Sequence, residues 1–440
     1  MKHSCKKRLY IQLIAGALLI ASVWFFRETV RERIRDSATL ANDAPPAEVV
    51  SEMIERAANP RLALLAAWNS GKIMHRETAI REVAMLFSEK QPLPADIEDV
   101  LQAGTLDPDM NVRETALSAL QARHDPILPA LAAAQFGDPD SATRLLGLIH
   151  LETVPAKVGV PLVVGLLDDS DLRVTDQTLK LLERWSGDTF GARLTDALPV
   201  ENSQTGLLEF SEPGRARIQA AVVRAQAWWT AHEHEFPPGR QPLPSMARAG
   251  LPMFPAKDFT LRTLQGDEVR LADFRGKVVL INFWTTWCTA CVGELPELVA
   301  LQKEHRDGLV ILGVSLDFVP DDDGDQNPDP AAIRQKLARA IKERGLNYPV
   351  LLDEHNDVGG CFNGGELPTT VIVDAQGNLR RRFVGARSLR EFEAMVAEAT
   401  RSGITNKNDS KSGLASREHP PLVFEEGENL LFHLIQLSAN

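Results

Sequence analysis

From Ala44 to about Ala231, apolar residues recur at helical spacing in short runs. Leu62, Leu65 and Ala66 share one face, as do Leu117, Leu120 and Leu128. Breaks rich in Pro or Asp fall between the runs, which predicts a series of short amphipathic helices. The segment from Phe236 to Pro255 then carries Pro237, Pro238, Pro242, Pro244, Pro252 and Pro255, a density that keeps a chain extended and predicts a linker. Beyond it the period changes. The short apolar runs Val278 to Trp284 and Leu309 to Leu316, with β-branched Val371 to Val373, predict buried strands. Helical stretches from Ala331 to Glu343 and from Leu389 to Thr400 alternate with them, as in an α/β domain with crossover helices. Residues after Arg401 turn polar, and Asn406 to Ser412 read as disordered.

The breaks in the helical half are periodic. Asp107-Pro108-Asp109, Asp138-Pro139-Asp140 and Asp169-Ser170-Asp171 follow one another at intervals of 31 residues, and a helical stretch follows each. Arg76-Glu77-Thr78-Ala79 also matches Arg113-Glu114-Thr115-Ala116. This pattern resembles the short class of HEAT repeats, in which an Asp-rich turn caps a helix and the next helix stacks on its neighbours. The resemblance implies an extended stack that serves either as a rigid spacer or as a docking surface for a protein partner.

Composition narrows the class. A chain of 440 residues has room for about three domains, and 44% hydrophobic with 25% charged residues excludes collagen-like, wholly disordered and multi-spanning membrane proteins. Forty-eight basic against 60 acidic residues leave a net charge of -12, which argues against a nucleic-acid partner. The amino-terminal end is the exception, with Lys2, Lys6, Lys7, Arg8, Arg27, Arg31, Arg33 and Arg35 against Glu28, Glu32 and Asp36. Between these charges Leu9 to Phe26 carries none, and as a helix it would be about 27 Å long, nearly a bilayer core. It ends in Trp24-Phe25-Phe26-Arg27 rather than in a small-x-small site, which favours an uncleaved signal-anchor over a cleaved leader. Lys and Arg are balanced across the run, so the short amino-terminal stub places itself in the cytoplasm only weakly. The expectation is a single-pass membrane protein with one helix in the lipid bilayer and its bulk outside the cytoplasm, on the periplasmic side. Cys5 precedes the apolar run and is given no role.

The candidate chemistry lies in Trp287-Cys288-Thr289-Ala290-Cys291, which follows the predicted strand ending at Trp284 and opens a predicted helix. Cysteines three apart on a helix share a face and lie within disulfide range. Unpaired N–H groups and the dipole at a helix start favour an anion, so Cys288 is the candidate attacking thiolate and Cys291 the resolving thiol. Zinc sites use the same spacing but need four ligands. No second CxxC exists, and Cys5 and Cys361 are single, so redox chemistry without metal or cofactor is the better reading.

Several stretches extend the motif. Pro255 to Leu261, Leu271 to Trp284 and Leu367-Pro368-Thr369-Thr370 followed by Val371 to Asp374 resemble the thioredoxin-fold, membrane-anchored thiol-disulfide oxidoreductases of the TlpA and ResA type, also called redoxin-like proteins. The resemblance covers about Pro255 to Thr400, roughly a third of the chain. It implies a redox-active Cys288–Cys291 disulfide supported by Trp287, Glu294 and Pro368. It further implies a cis peptide before Pro368, with Leu367 and Thr369 beside an extended client. Glu294 matches the family glutamate that influences proton transfers at the dithiol. Asn282 stands where plain thioredoxins carry Asp, and Val292-Gly293 stands where many members are basic. Cys361, seven residues before Pro368, is either a third redox thiol or a buried small hydrophobe. Asp321 to Asp325 lacks the carboxylate spacing of an EF-hand and reads as a solvated loop.

The expected architecture is therefore multidomain: a stub and anchor over 1–36 (span about 9–26), an all-α HEAT-like region over 44–235, a linker over 236–254, an α/β thioredoxin-like domain over 255–402 and a polar tail over 403–440. The expected function is exchange of the dithiol with a cysteine-containing client protein. The resemblance implies a reductant, recharged by a membrane electron donor and of the kind that serves cytochrome c maturation. Two alternatives stay open. A thiol peroxidase of the redoxin family would need a Pro-x-x-x-Thr-x-x-Cys loop, of which Thr285 is present but Ile281 fills the proline slot. An anchored helical-repeat scaffold with a redox-sensing domain would need no turnover.

Overall fold

The computed structural model describes residues 47–87, 91–191, 199–201, 208–237, 254–319 and 329–409. The predicted anchor over 9–26, most of the Pro-rich segment, the Asp321 to Asp325 loop and the tail beyond residue 409 lie outside these residues. Among the described residues no helix is long and apolar enough to cross a membrane.

The first half is a predominantly helical body. Its helices are α1 (Ala47–Arg56), α2 (Pro60–Asn69), α3 (Ile73–Leu86), α4 (Ala95–Gly104), α5 (Met110–Ala122), α6 (Leu128–Ala133), α7 (Ser141–Ile149), α8 (Ala156–Val163) and α9 (Leu172–Ser186). A short antiparallel pair, β1 (Pro199–Glu201) and β2 (Leu208–Phe210), precedes α10 (Glu212–His232). Side-chain caps explain where several helices begin. Asp109 accepts from the amides of Asn111 and Val112, Asp140 from Ala142, and Asp171 from Arg173. One continuous apolar core runs from Val50 through Leu101, Leu117 and Leu131 to Leu182 and Ala225, so no helix pair stands alone. Buried polar rungs cross the stack: Arg76 pairs with Asp107 through two hydrogen bonds, at 2.7 and 2.9 Å, and Arg144 pairs with Asp169 at 2.7 Å.

The second half is an α/β body. Its strands are β3 (Phe254–Pro255), β4 (Thr260–Thr263), β5 (Glu268–Arg270), β6 (Val278–Trp284), β7 (Leu309–Ser315), β8 (Val350–Leu352), β9 (Thr369–Val373) and β10 (Asn378–Val384), and its helices are α11 (Thr289–Glu304), α12 (Pro330–Arg344), α13 (Asp357–Cys361) and α14 (Leu389–Asp409). Helix α14 runs seven residues into the segment whose composition reads as a disordered tail. The sheet order is β3-β10-β9-β6-β7-β8-β4-β5, with β6, β7 and β8 parallel and the other pairs antiparallel. All seven residues of β6 are buried because both sheet faces are covered. Val278 and Leu280 join Leu298, Leu301, Phe392 and Met395 on one face, while Val279, Ile281 and Phe283 join Leu271, Val358 and Phe362 on the other. This alternation is the two-residue period of a strand.

The two bodies meet along the first two Asp-rich turns. The Arg382 amide donates to the Pro108 carbonyl at 3.0 Å, and its fully buried guanidinium pairs with Asp109 at 3.1 Å. Arg381 pairs with Asp138 at 2.9 Å and with Glu398, and Arg387 pairs with Asp140 at 2.6 Å. Glu391 accepts the amide and hydroxyl of Ser141. Near the other end Arg76 lies 3.8 Å from the ring centre of Phe254, and Ile73 joins the apolar cluster around that ring. The first two Asp-rich turns of the helical stack are therefore covered by the chain's own α/β body.

Candidate active site

Strand β6 delivers the chain to the site and helix α11 carries it away. Cys288 is the N-cap of α11, and its Sγ accepts the Cys291 amide at 3.1 Å. The two cysteines form a disulfide with Cα atoms 5.2 Å apart. Cys288 is 9% exposed and Cys291 1%, so the outer sulfur is the one a macromolecule reaches. Trp287, just before it, is 54% exposed. Trp284, Leu295, Ile333, Leu337, Val350 and Leu352 pack round the disulfide and keep its inner side dry.

The approach loop is held by a residue that the sequence reading did not single out. Asp317 accepts the Thr286 amide at 3.0 Å, the Thr286 hydroxyl at 2.5 Å and the Ser315 hydroxyl at 2.9 Å. An acid two residues past the end of β7, the parallel neighbour of β6, was the available signal.

Opposite the disulfide the Leu367–Pro368 peptide is cis. Leu367 is half-buried and packs in the same cluster as the two cysteines. Thr369 has no exposed surface: its hydroxyl donates to the Glu366 carbonyl, and its backbone lies between Phe283 of β6 and Val384 of β10. Strand pairing on both sides holds Thr369 beside the Pro368 turn. Cys361 ends α13 half-buried, in an apolar cluster with Phe362 and Leu367.

Glu294, one turn beyond Cys291, is 1% exposed. Its Oε2 accepts from the Asn282 side-chain amide at 3.1 Å and its Oε1 from the Arg387 backbone amide at 2.7 Å. The Asn282 amide also donates to the Thr370 hydroxyl at 3.3 Å. Burial pushes the Glu294 carboxyl up to about 8, with these amides and the Arg387 charge pulling partly back. Tyr348, nearby and buried, is pushed up by burial and by the Glu294 charge. Among the described residues, Glu304, His305 and Glu393 have metal-ligand spacing, but they lie at the end of α11 away from the cysteines.

A thioredoxin-like sheet with a disulfide at the start of the helix after its central strand, faced by a cis-proline turn, defines a thiol-disulfide oxidoreductase. The family profile and the two relatives agree. A profile of the AhpC/TSA family matches residues 254–382. The chain is 35% identical over 139 residues to the thioredoxin-like protein YneN of Bacillus subtilis (strain 168), spanning 31% of this chain and 74% of the relative. It is 34% identical over 139 residues to the thiol-disulfide oxidoreductase ResA of Geobacillus kaustophilus (strain HTA426), spanning 31% and 72%. A crystal structure of a thiol:disulfide interchange protein of the thioredoxin family from Chlorobium tepidum TLS matches with 27% identity and a TM-score of 0.29, covering 34% of this chain and 98% of that one. The chain belongs to the ResA-like thiol-disulfide oxidoreductases, its redoxin domain preceded by a helical region.

Proposed function

We propose that this protein is a membrane-anchored, extracytoplasmic reductant of protein disulfides, with Cys288 as nucleophile and Cys291 as resolving thiol. One observation carries the reading: the Cys288 sulfur sits at a helix N-cap and accepts a backbone amide, while Cys291 is sealed behind it. An N-cap sulfur is favoured as thiolate by the helix dipole and by the hydrogen bond to its charged form. In the reduced protein the Cys288 thiolate attacks one sulfur of a client disulfide, giving a mixed disulfide and one client thiolate. Cys291 then loses its proton and attacks the Cys288 sulfur, closing the disulfide and releasing the second client thiolate. Two electrons pass to the client, and two protons follow to its thiolates. Glu294, with its carboxyl near 8 and one turn from Cys291, is suited to take that thiol's proton. Leu367, the Pro368 turn and Trp287 form the surface against which the client lies.

The helical region is read as a HEAT-like stack. Support comes from rungs that link residues about one repeat apart: Arg76 to Asp107, Arg113 to Thr143, and Trp185 to the Val154 carbonyl. Any external partner would use faces away from the covered turns. An anchor over 9–26 would put the site on the periplasmic side, where a membrane donor would restore the dithiol and cytochrome c apoproteins are candidate clients. A peroxidase reading gains no support, because Ile281 is mid-strand in β6, paired with Leu312 and Val371, where a proline would break the ladder.

The test is insulin reduction by the full chain with a chemical reductant. Wild type should turn over, Cys288→Ser should fall to the uncatalysed rate, and Cys291→Ala should accumulate a mixed disulfide with its client. A Cys288→Ser variant as active as wild type overturns the assignment. A reduction potential well above that of glutathione overturns the reductant direction, and recovery of the full chain in the soluble fraction overturns the anchor.

A further inference from the structure

A single loop joins the redox site to the helical body. In Val384 to Arg387, just after β10, the Gly385 amide donates to the Pro368 carbonyl at 2.8 Å and the Arg387 amide donates to Glu294 Oε1 at 2.7 Å. The loop therefore touches both the turn facing the disulfide and the carboxyl behind it. Gly385 has φ 91°, a conformation open to glycine, so the loop's shape depends on its hydrogen bonds rather than on side-chain sterics. The Arg387 side chain supplies them. Its Nη1 turns back to the carbonyls of Val384, Gly385 and Ala386, at 3.2, 3.0 and 3.2 Å, and its guanidinium lies 4.7 Å from the ring centre of Phe383. Its other edge leaves the domain, Nε donating to Asp140 Oδ1 at 2.6 Å and Nη2 to Oδ2 at 3.4 Å. Asp140 is itself fixed at the N-cap of α7, where it accepts the Ala142 amide at 3.2 Å and the Thr143 hydroxyl at 3.0 Å.

We propose that Asp140 and Arg387 are positioning residues for thiol-disulfide exchange: the helical body, through Asp140, holds Arg387 and with it the amides that fix Pro368 and Glu294 at the disulfide. A planar guanidinium fork with a charged acceptor is the side chain suited to carry such a link. Glu294 is faced by Cys291 and Glu297 of its own helix, Asn282 of β6, Thr370 of β9 through Asn282, Tyr348 ahead of β8, and Arg387 with Asp140 and Arg113 behind it. Of these, Arg387 spans the two bodies. The proposal rests on the exchange reading above.

The test titrates the Glu294 carboxyl by carbon-13 NMR in the reduced full chain, with the pH profile of insulin reduction as second readout. Asp140→Asn keeps a capping side chain and removes the charge, and Arg387→Lys keeps the charge and removes the fork. Each should move the Glu294 titration by about half a unit or more: Arg387→Lys upward, because a hydrogen bond to its charged form is weakened, and Asp140→Asn by the balance of that loss against removal of a nearby anion. The insulin profile should move the same way. Asp109→Asn loosens the same domain contact through Arg382 and should lower the thermal midpoint without moving the titration. Wild-type titration in Asp140→Asn and Arg387→Lys, or an equal shift in Asp109→Asn, overturns the proposal. Should Asp140→Asn not fold, Arg387→Lys alone decides. Absence of insulin reduction by wild type would remove the exchange reading, while the Glu294 titration still reports whether the link positions the carboxyl.

Discussion

In the helical body Asp107 is fully buried against the Arg76 fork, and it also accepts the Asp109 amide at 2.8 Å. In the α/β body Glu294 is buried as deeply, but its direct partners are the Arg387 backbone amide and the Asn282 side-chain amide. Burial pushes both carboxyls up, and at Asp107 the Arg76 hydrogen bonds and charge pull back without reversing the rise. At Glu294 two amides in contact and the more distant Arg387 charge recover only part of the loss, leaving the carboxyl near 8. A buried acid with a cation in contact is one half of a structural rung, whereas one with neutral donors stays poised to exchange a proton. Arg387 shows both modes in one residue. Its guanidinium helps hold Asp140 below the ordinary Asp range against burial, while its amide meets Glu294.

The comparison can be broken most directly at Asp107. Asp107→Ala leaves Arg76 buried without its anion and should cost about 3–5 kcal/mol in denaturant unfolding, with exchange per folded molecule unchanged. A loss of exchange in the folded fraction would show that the rung is not merely structural. Glu294→Gln should do the reverse. Folded Glu294 binds its proton more tightly than the ordinary value of 4.5 allows in the unfolded chain. Its contribution is therefore complete below about 4.5, declines as pH rises and is gone above about 8. Unfolding at pH 5 and pH 8 should show wild type losing stability across that window and Glu294→Gln losing less, together with a flattened pH profile of exchange. A slope unchanged by the substitution would place Glu294 with the structural acids. The smallest effect belongs to an exposed pair of the same chemistry, Arg61 with Asp96 at 2.7 Å. Arg61→Ala should change unfolding by under about 1 kcal/mol, since solvent screens both charges. A larger loss would mean that burial is not what separates the classes.

Much of the α/β body was legible because its signals are local. Val278 to Trp284 read as a buried strand and is one, and the predicted helix from Ala331 to Glu343 lies within Pro330–Arg344. The CxxC motif, Glu294 and Pro368 were found by spacing and resemblance, and the structure gathers them round one disulfide. The enclosure of Thr369 between β6 and β10 was not legible, because a motif shows neighbours in sequence and not which of them a sheet encloses. Asp317, Arg387 and the pairing of Asp140 beyond its own turn escaped notice for a related reason. Asp317 meets Thr286 across 31 residues and Arg387 meets Asp140 across 247, and no periodicity reports a pairing between separate elements.

Residue order alone determined the two kinds of secondary structure, the helix start that carries Cys288 and the capping of helices by the Asp turns, because each depends on residues within a few positions of one another. Which face those turns present, and to what, was decided only when the sheet closed and β10 with the loop after it brought Arg381, Arg382 and Arg387 to Asp138, Asp109 and Asp140. Charge pairs of that kind are strong only when both partners leave water together, and desolvation belongs to the assembled fold rather than to any segment of the chain.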